Sequence, residues 1–484
     1  MVKAFEEFIF RFRLAILIVM AIFTIITGYF ATGLKLEAGF LKQVPTEHPY
    51  LQTYFEYQQE MPGANLVLVA LKAKEGTIWN KEILQRLHKI TEEISYLPGV
   101  DRSRLYSLWY PTTRALTIDE FGFQMEDLIP GTITPERLTE EDIAGIRERT
   151  IAGDWIGAIV SEDETSVLVA FEIKAPGGAS GDIESVQSTA LDVASLLESK
   201  IRAPFSDEVS DVAIIGFPKF IGDIAEGAII ATSFFLLAFV ITGVAVFAYV
   251  RSFILTALAI GSSLVSVVWQ LGVLNLIGMG LDPLAILVPF LVYAIGVSHG
   301  MQQVNLIATQ IAKGSDGLNA ARQTFRRLLV PGSMALITDL VGFITLYLIP
   351  VGVVRDIAII ATIGVGLKII SNLIMLPLLA SYFRRDEKQV RLFIKARVFR
   401  ERIMTWIAGA AKPGTAPLIA GGLVVLLVGS AIGAQYRYVG DLTPAASELR
   451  PDSKYNQDTA FITQNFDVGT DVLVLVLETP QDAC

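Results

Sequence analysis

The chain has one cysteine, Cys484, and three histidines, His48, His88 and His299, scattered along 484 residues. A lone cysteine excludes an intramolecular disulfide, and without CxxC or HExxH spacing there is no metal site to expect. No GxxxxGK[ST] run is present, so nothing points to nucleotide hydrolysis by this chain. No GxGD motif marks it as an intramembrane protease either. Charge is scarce as well: 18% of residues are charged against 52% hydrophobic, with a mean hydropathy of +0.52. That composition excludes an ordinary soluble protein and points to membrane spans. Neither a cofactor nor a nucleic-acid partner is expected.

What the chain does have is long apolar runs. The first, Leu14 to Gly33, follows Arg11 and Arg13. It exceeds the core of a signal peptide and reads as an uncleaved anchor. Five more runs come close together, at 227–250, 254–277, 283–311, 329–349 and 353–381, and a seventh at 416–434. The short connections require the five to pack as one bundle. Gly243, Gly261, Gly272, Gly296, Gly342, Gly364 and Gly366 give places for close helix approach. Residues 34–226 carry 17 Lys and Arg against 32 Asp and Glu, whereas 384–412 carry nine basic residues against three acidic ones. Arg322, Arg326 and Arg327 add to the basic side, between the fourth and fifth runs. The positive-inside rule then places the N-terminus in the cytoplasm and the acidic segment outside.

Within 34–226 the periodicity switches between strand and helix. LVLVALKA (66–73) reads as a strand, KEILQRLHKITEEISYL (81–97) as an amphipathic helix and 100–108 as a second strand. After a Gly- and Glu-containing stretch (120–160) come a strand at 165–173, a helix at 184–202 and a strand at 212–217. The order β-α-β, β-α-β predicts a split βαβ, ferredoxin-like α+β domain with both helices on one face of a four-stranded sheet.

The C-terminal stretch repeats the beginning. A shift of 406 superposes Pro45 on Pro451, Thr53 on Thr459, Phe55 on Phe461, Gln58 on Gln464, Gly63 on Gly469 and Leu71 on Leu477. The strand LVLVAL (66–71) falls on VLVLVL (472–477), and both copies follow a span. This predicts an internal repeat whose second copy is cut within its first strand, so the chain is expected to be about half of a twelve-span protein.

Polar residues inside the spans are the candidates for function, because they are costly in lipid. The fourth run places Ser298, His299, Gln302 and Gln303 in PLAILVPFLVYAIGVSHGMQQVN (283–305), with His299, Gln302 and Gln303 at i, i+3 and i+4 on one face. The fifth carries Thr338 and Asp339 in ALITDLVGF. An imidazole titrates near neutrality, and a carboxylate beside it would titrate with it, so His299 and Asp339 are expected to relay protons, assisted by Ser298, Thr338, Gln302 and Gln303. The alternative for His299 is interhelical hydrogen bonding alone. Asn305 and Asn372 are expected to serve packing, and Asp282 to cap a helix.

One span, a large exterior domain, five clustered spans and then the same pattern again resembles the resistance-nodulation-division superfamily of proton-driven exporters. The lipid-exporter branch, with the MMPL-like and hopanoid-transporter-like proteins, is the nearest match, and the five-span cluster is similar to a sterol-sensing domain. Gly216-Phe217-Pro218 before the second span is similar to that branch's motif. Gly296-Val297-Ser298-His299 aligns with the family's Gly-Val-Asp-Tyr or Gly-Val-Asp-Asp motif. The family's acidic proton carrier is absent at Ser298, and His299 stands beside that place.

The resemblance implies a polytopic α-helical membrane protein made of the first half, and the start of the second half, of such a repeat. Its parts would be a cytoplasmic N-terminus and first span (1–33), an exterior domain (34–226), the five-span bundle (227–383), a basic amphipathic cytoplasmic linker (384–415), the seventh span (416–434) and the start of a second exterior domain (435–484). It implies a secondary transporter rather than an enzyme, in a bacterial inner membrane with the large domains in the periplasm. The expected activity is export of a lipid or other hydrophobic molecule driven by the proton-motive force. Expected partners are that hydrophobic substrate, membrane lipids, the missing second half, further copies of the chain, and periplasmic or outer-membrane proteins. Two other classes compete: a sterol- or lipid-sensing regulator that moves nothing, and an accessory of protein translocation.

Overall fold

The computed structural model describes residues 2–34, 45, 47–57, 66–119, 122–173, 191–282, 284–384, 386–437, 446 and 449–468. The repeated strand expected at 472–477, the start of the 184–202 helix, and Gln58, Gly63, Gly469 and Leu477 lie outside the described residues. Two compact units form, one from 1–46 with 228–440 and one from 47–227 with 441–484. In chain order the helices are α1 (Val2–Arg11), α2 (Arg13–Ala31), α3 (Pro49–Tyr57), α4 (Lys81–Ser95), α5 (Glu140–Ala152), α6 (191–205) and α7 (Phe217–Val250). Then come α8 (Phe253–Leu276), α9 (Leu287–Ala312), α10 (Gly317–Leu346), α11 (Gly352–Ile370), α12 (Glu387–Ala408), α13 (Ala416–Gln435) and α14 (Lys454–Asn465).

The α+β unit is built on β1 (Leu66–Ala73), β2 (Val100–Tyr106), β5 (Ser166–Ile173) and β6 (Ser210–Gly216) in the order β2-β5-β1-β6. All neighbours are antiparallel, with Val69 of β1 opposite Val169 of β5 and Ile214 of β6. Val67, Val69 and Leu71 alternate onto one face, which α4 covers with Ile83, Leu84, Leu87, Ile90 and Ile94, and α6 with Val193, Leu197 and Ile201. These helical positions recur every three or four residues, as one buried stripe requires. Asn80 starts α4 by accepting from the Ile83 amide at 2.9 Å. Leu68, Ala70, Leu168, Ala213 and Ile215 point the other way, onto Ile462 and Phe466 in and just after α14. Both faces of β1 are therefore covered, which explains its nearly unbroken apolar sequence. Gly216 ends β6 at φ +129°, where a Cβ would overlap the Leu66 carbonyl, so only glycine fits.

The stretch 120–160, left without elements by sequence periodicity, contributes to a hairpin of β3 (Arg114–Asp119) and β4 (Gly122–Asp127) and then α5. A capping box between Thr139 and Asp142 starts α5, a signal local enough to be read from the sequence.

Asp458 ties α14 to the sheet. It is buried and accepts from Arg202 at 2.7 Å, the Ile214 amide at 3.0 Å and Lys454 at 3.1 Å. Burial disfavours the Arg202 charge, yet Asp458 and Glu198 outweigh that and hold the guanidinium above its ordinary range. Asp458→Ala would leave that guanidinium largely buried without its main partner, which costs about 3–5 kcal/mol for such pairs. The expected result is faster hydrogen exchange at β6 in Asp458→Ala, with Asp458→Asn less affected. Unchanged protection of β6 would mean that α14 does not hold the sheet.

Among the described residues, six helices are long and apolar enough to cross a membrane: α2, α7, α8, α10, α11 with its continuation to Ala380, and α13. The fourth run, at 283–311, forms α9 from Leu287 to Ala312, a 26-residue helix that falls outside the six. Its Ser298, His299, Gln302, Gln303 and Asn305 interrupt the apolar character, and it packs along α8, α10 and α11. Two further differences correct the sequence reading. The run at 353–381 is not one regular helix, because a π-helical turn, Ser371–Met375, interrupts it before Leu376–Ala380. The 329–349 span begins much earlier, at Gly317, where Asp316 accepts from the Asn319 amide as N-cap. Arg322, Arg326 and Arg327 thus belong to α10 rather than to a loop. Arg322 and Arg326 pair with Glu6 of α1, a carboxylate fully buried beneath them.

Candidate functional site

α9 divides its polar residues between two faces. Gln303 is buried and donates from Nε2 to the Asn372 carbonyl at 2.8 Å. Ser298 and Gln302 lie on the exposed side of the helix, with His299 half-buried between the two faces. On α10, Asp339 is half-buried, while Thr338 is exposed and returns its hydroxyl to its own helix, donating to the Met334 carbonyl at 2.8 Å.

His299 is within electrostatic reach of Asp339. Among the described residues no hydrogen bond or ion pair joins them. An exposed stripe carrying Ser298, Gln302 and the edge of His299 cannot face lipid cheaply, so it requires protein or water against it.

The densest polar cluster lies on the opposite face of α9 and centres on Lys368, which sequence reasoning did not single out. Lys368 is fully buried and donates from Nζ to the Ser266 hydroxyl and, at 3.2 Å, to the Ser263 carbonyl of α8. It is also within electrostatic reach of His299. Gly296 makes room for it, since a Cβ at 296 would overlap the amine. Asn372, at the start of the π-helical turn, donates to the Gly296 carbonyl at 2.7 Å and accepts from the Ser262 hydroxyl at 3.3 Å. Its own carbonyl is the one that receives Gln303. The expectation that Asn372 serves packing is thus extended: it joins α8, α9 and α11. Asp282 does not cap α9 as expected: it accepts from the Leu284 amide at 2.8 Å, in the turn before a helix that begins only at Leu287 after Ile286. A lysine 16 residues into the 29-residue apolar segment Gly352–Ala380 was a readable signal by the same cost argument that singled out Asp339.

These helices define a multi-pass membrane protein with an α+β unit. The chain is similar to the "Putative membrane protein MJ1562" of Methanocaldococcus jannaschii, 21% identical over 374 residues that make up 75% of this chain and 89% of that protein. No family model matches the chain.

Proposed function

We propose that the protein is a proton-driven exporter of a lipid or other hydrophobic molecule, related to the resistance-nodulation-division exporters. The observation that carries the reading is the set of three titratable side chains on three packed membrane helices: His299 on α9, Asp339 on α10 and Lys368 on α11, with His299 in reach of both others. Lipid binding alone needs no titratable groups at that depth, whereas coupling to protons does. The reading places the protein in an inner membrane with the α+β unit in the periplasm, in line with the acidic 34–226 segment and the basic 384–412 segment.

The sheet order β2-β5-β1-β6, with β5 between the parallel strands β1 and β2, supports the ferredoxin-like assignment. The 406-residue shift sets α3 against α14, both helical, in support of the repeat. The polar exposed stripe of α9 is then where a second half of the bundle, or a second copy, would pack. An apolar cavity of about 350 Å³ between α10 and α11, lined by Ile344, Leu348, Ala358, Ile359 and Ile363, suits a hydrocarbon chain. That cavity by itself also suits the competing reading, a lipid-binding regulator without transport.

The two readings separate in vesicles. Intact protein is reconstituted with a fluorescent phosphatidylethanolamine as probe and a pH-sensitive dye in the lumen. The expected result is probe movement that requires an imposed pH gradient, is abolished by a protonophore, and is accompanied by proton flow. Probe binding without gradient-dependent movement would leave the regulator and sink the exporter.

A further inference from the structure

Lys368 is a buried cation whose hydrogen-bond partners among the described residues are two neutral oxygens of α8, the Ser263 carbonyl and the Ser266 hydroxyl. No carboxylate hydrogen-bonds or ion-pairs with it among the described residues. A well-packed apolar side chain commonly serves stability at least as well as a buried charge. Yet the bundle is shaped around this amine in two ways. Gly296 gives up its side chain to admit it. Three residues beyond Lys368, the helix switches to π-helical geometry over Ser371–Met375, and the Asn372 carbonyl takes a side-chain donor, Gln303, from the neighbouring helix. Single π-turns are uncommon and concentrate at functional sites.

The surroundings decide what the amine binds. Lys368 is fully buried with Gly296 close against its amine, an enclosure that suits a proton, which needs no cavity. From α8 the cluster receives the Ser263 carbonyl and the hydroxyls of Ser262 and Ser266, none of them charged. From α9, His299 lies within electrostatic reach of Lys368, and from α10, Asp339 lies within electrostatic reach of His299. Those two are half-buried, and Lys368 is the fully enclosed member of the three.

We propose that Lys368 is the proton-loading group of the bundle. The three donors of the ammonium become two donors and a lone pair when the proton leaves. The two remaining N–H groups can still serve Ser263 and Ser266, but the new lone pair lets the amine accept from the Ser266 hydroxyl instead, a switch that the adjacent Gly296–Asn372–Gln303 bridge would pass from α8 to α9 and α11. This assignment rests on the transport reading for its role, but its chemistry is testable separately.

The test is solid-state NMR of the intact protein in bilayers with 15N-labelled lysine side chains, titrated in pH, beside Lys368→Met and Lys368→Arg. One lysine Nζ signal is expected to convert from ammonium to amine while the others remain ammonium, and Lys368→Met should remove it. Lys368→Arg keeps the charge and cannot release it; even if overpacking lowers its unfolding temperature, the folded fraction should lose gradient-driven probe movement. If the Lys368 signal stays ammonium across the titration, the proposal is wrong whatever the transport assay gives. If it converts but wild-type protein moves no probe, the proton site stands and the exporter reading falls. Wild-type transport by Lys368→Arg would remove Lys368 from coupling.

Discussion

Replacing His299 by alanine, or Asp339 by asparagine, is expected to abolish proton-driven movement of the probe while leaving expression and folding near wild type. Both side chains are half-buried, so neither is a core residue whose loss opens a large cavity. Packing therefore predicts small effects, and coupling predicts complete ones. The two groups act on each other electrostatically without a direct bond. A proton passing between them thus needs bridging water or a shift of α9 against α10. Residues that act as one unit give non-additive losses, so the double variant should be no worse than either single variant. Asp339→Glu, one methylene longer, should retain more activity than Asp339→Asn because it keeps the carboxylate. Wild-type rates in both single variants, from mildly acidic to mildly basic pH, would show that the pair only packs.

Much of this arrangement was legible in the chain. The strand LVLVALKA and the helix after it fall where period-2 and period-3.6 patterns placed them, because each buries one regular face. The apolar runs likewise became helices, since length and composition suffice for that. The missing parts depend on tertiary partners. Extension of α10 back to Gly317 needs the buried Glu6 of α1 to receive Arg322 and Arg326, and no local pattern announces a partner more than 300 residues away. The π-turn after Lys368 depends on Gln303 and Ser262 from two other helices. At the site, sequence reasoning weighed polar residues by their chemistry and found His299 and Asp339. It did not see that α9 has two polar faces, or that the enclosed one gathers around a lysine. Helix spacing alone put His299 and Gln303 together, whereas Gln303 turns inward and Gln302 outward.

Gly272→Ala should destabilise the bundle strongly, because the new atom would meet backbone rather than a movable side chain. A Cβ at 272 overlaps the carbonyl group and Cα of Thr27, where α8 crosses α2. The crossing cannot relax by sliding. One turn before Gly272, Trp269 donates from Nε1 to the Thr24 hydroxyl at 2.8 Å, and one turn after it Asn275 donates to the Phe30 carbonyl at 2.7 Å. Trp269 and Thr27 are both buried, and the Trp269 ring meets Phe23 edge-on. Small residues at such crossings let membrane helices approach closely, in place of the hydrophobic drive that lipid removes. Forcing the helices apart would stretch both hydrogen bonds and open the aromatic contact, at a cost of about 1–3 kcal/mol or more for overpacking of this kind. Gly261, on the same helix, is the control: nothing lies within 4 Å of a Cβ built there, so Gly261→Ala should be neutral or slightly stabilising through helix propensity. Thermal unfolding in detergent compares the two. A clear fall in unfolding temperature for Gly272→Ala alone is the expected outcome; equal temperatures for both variants would mean that α2 and α8 do not meet backbone to backbone.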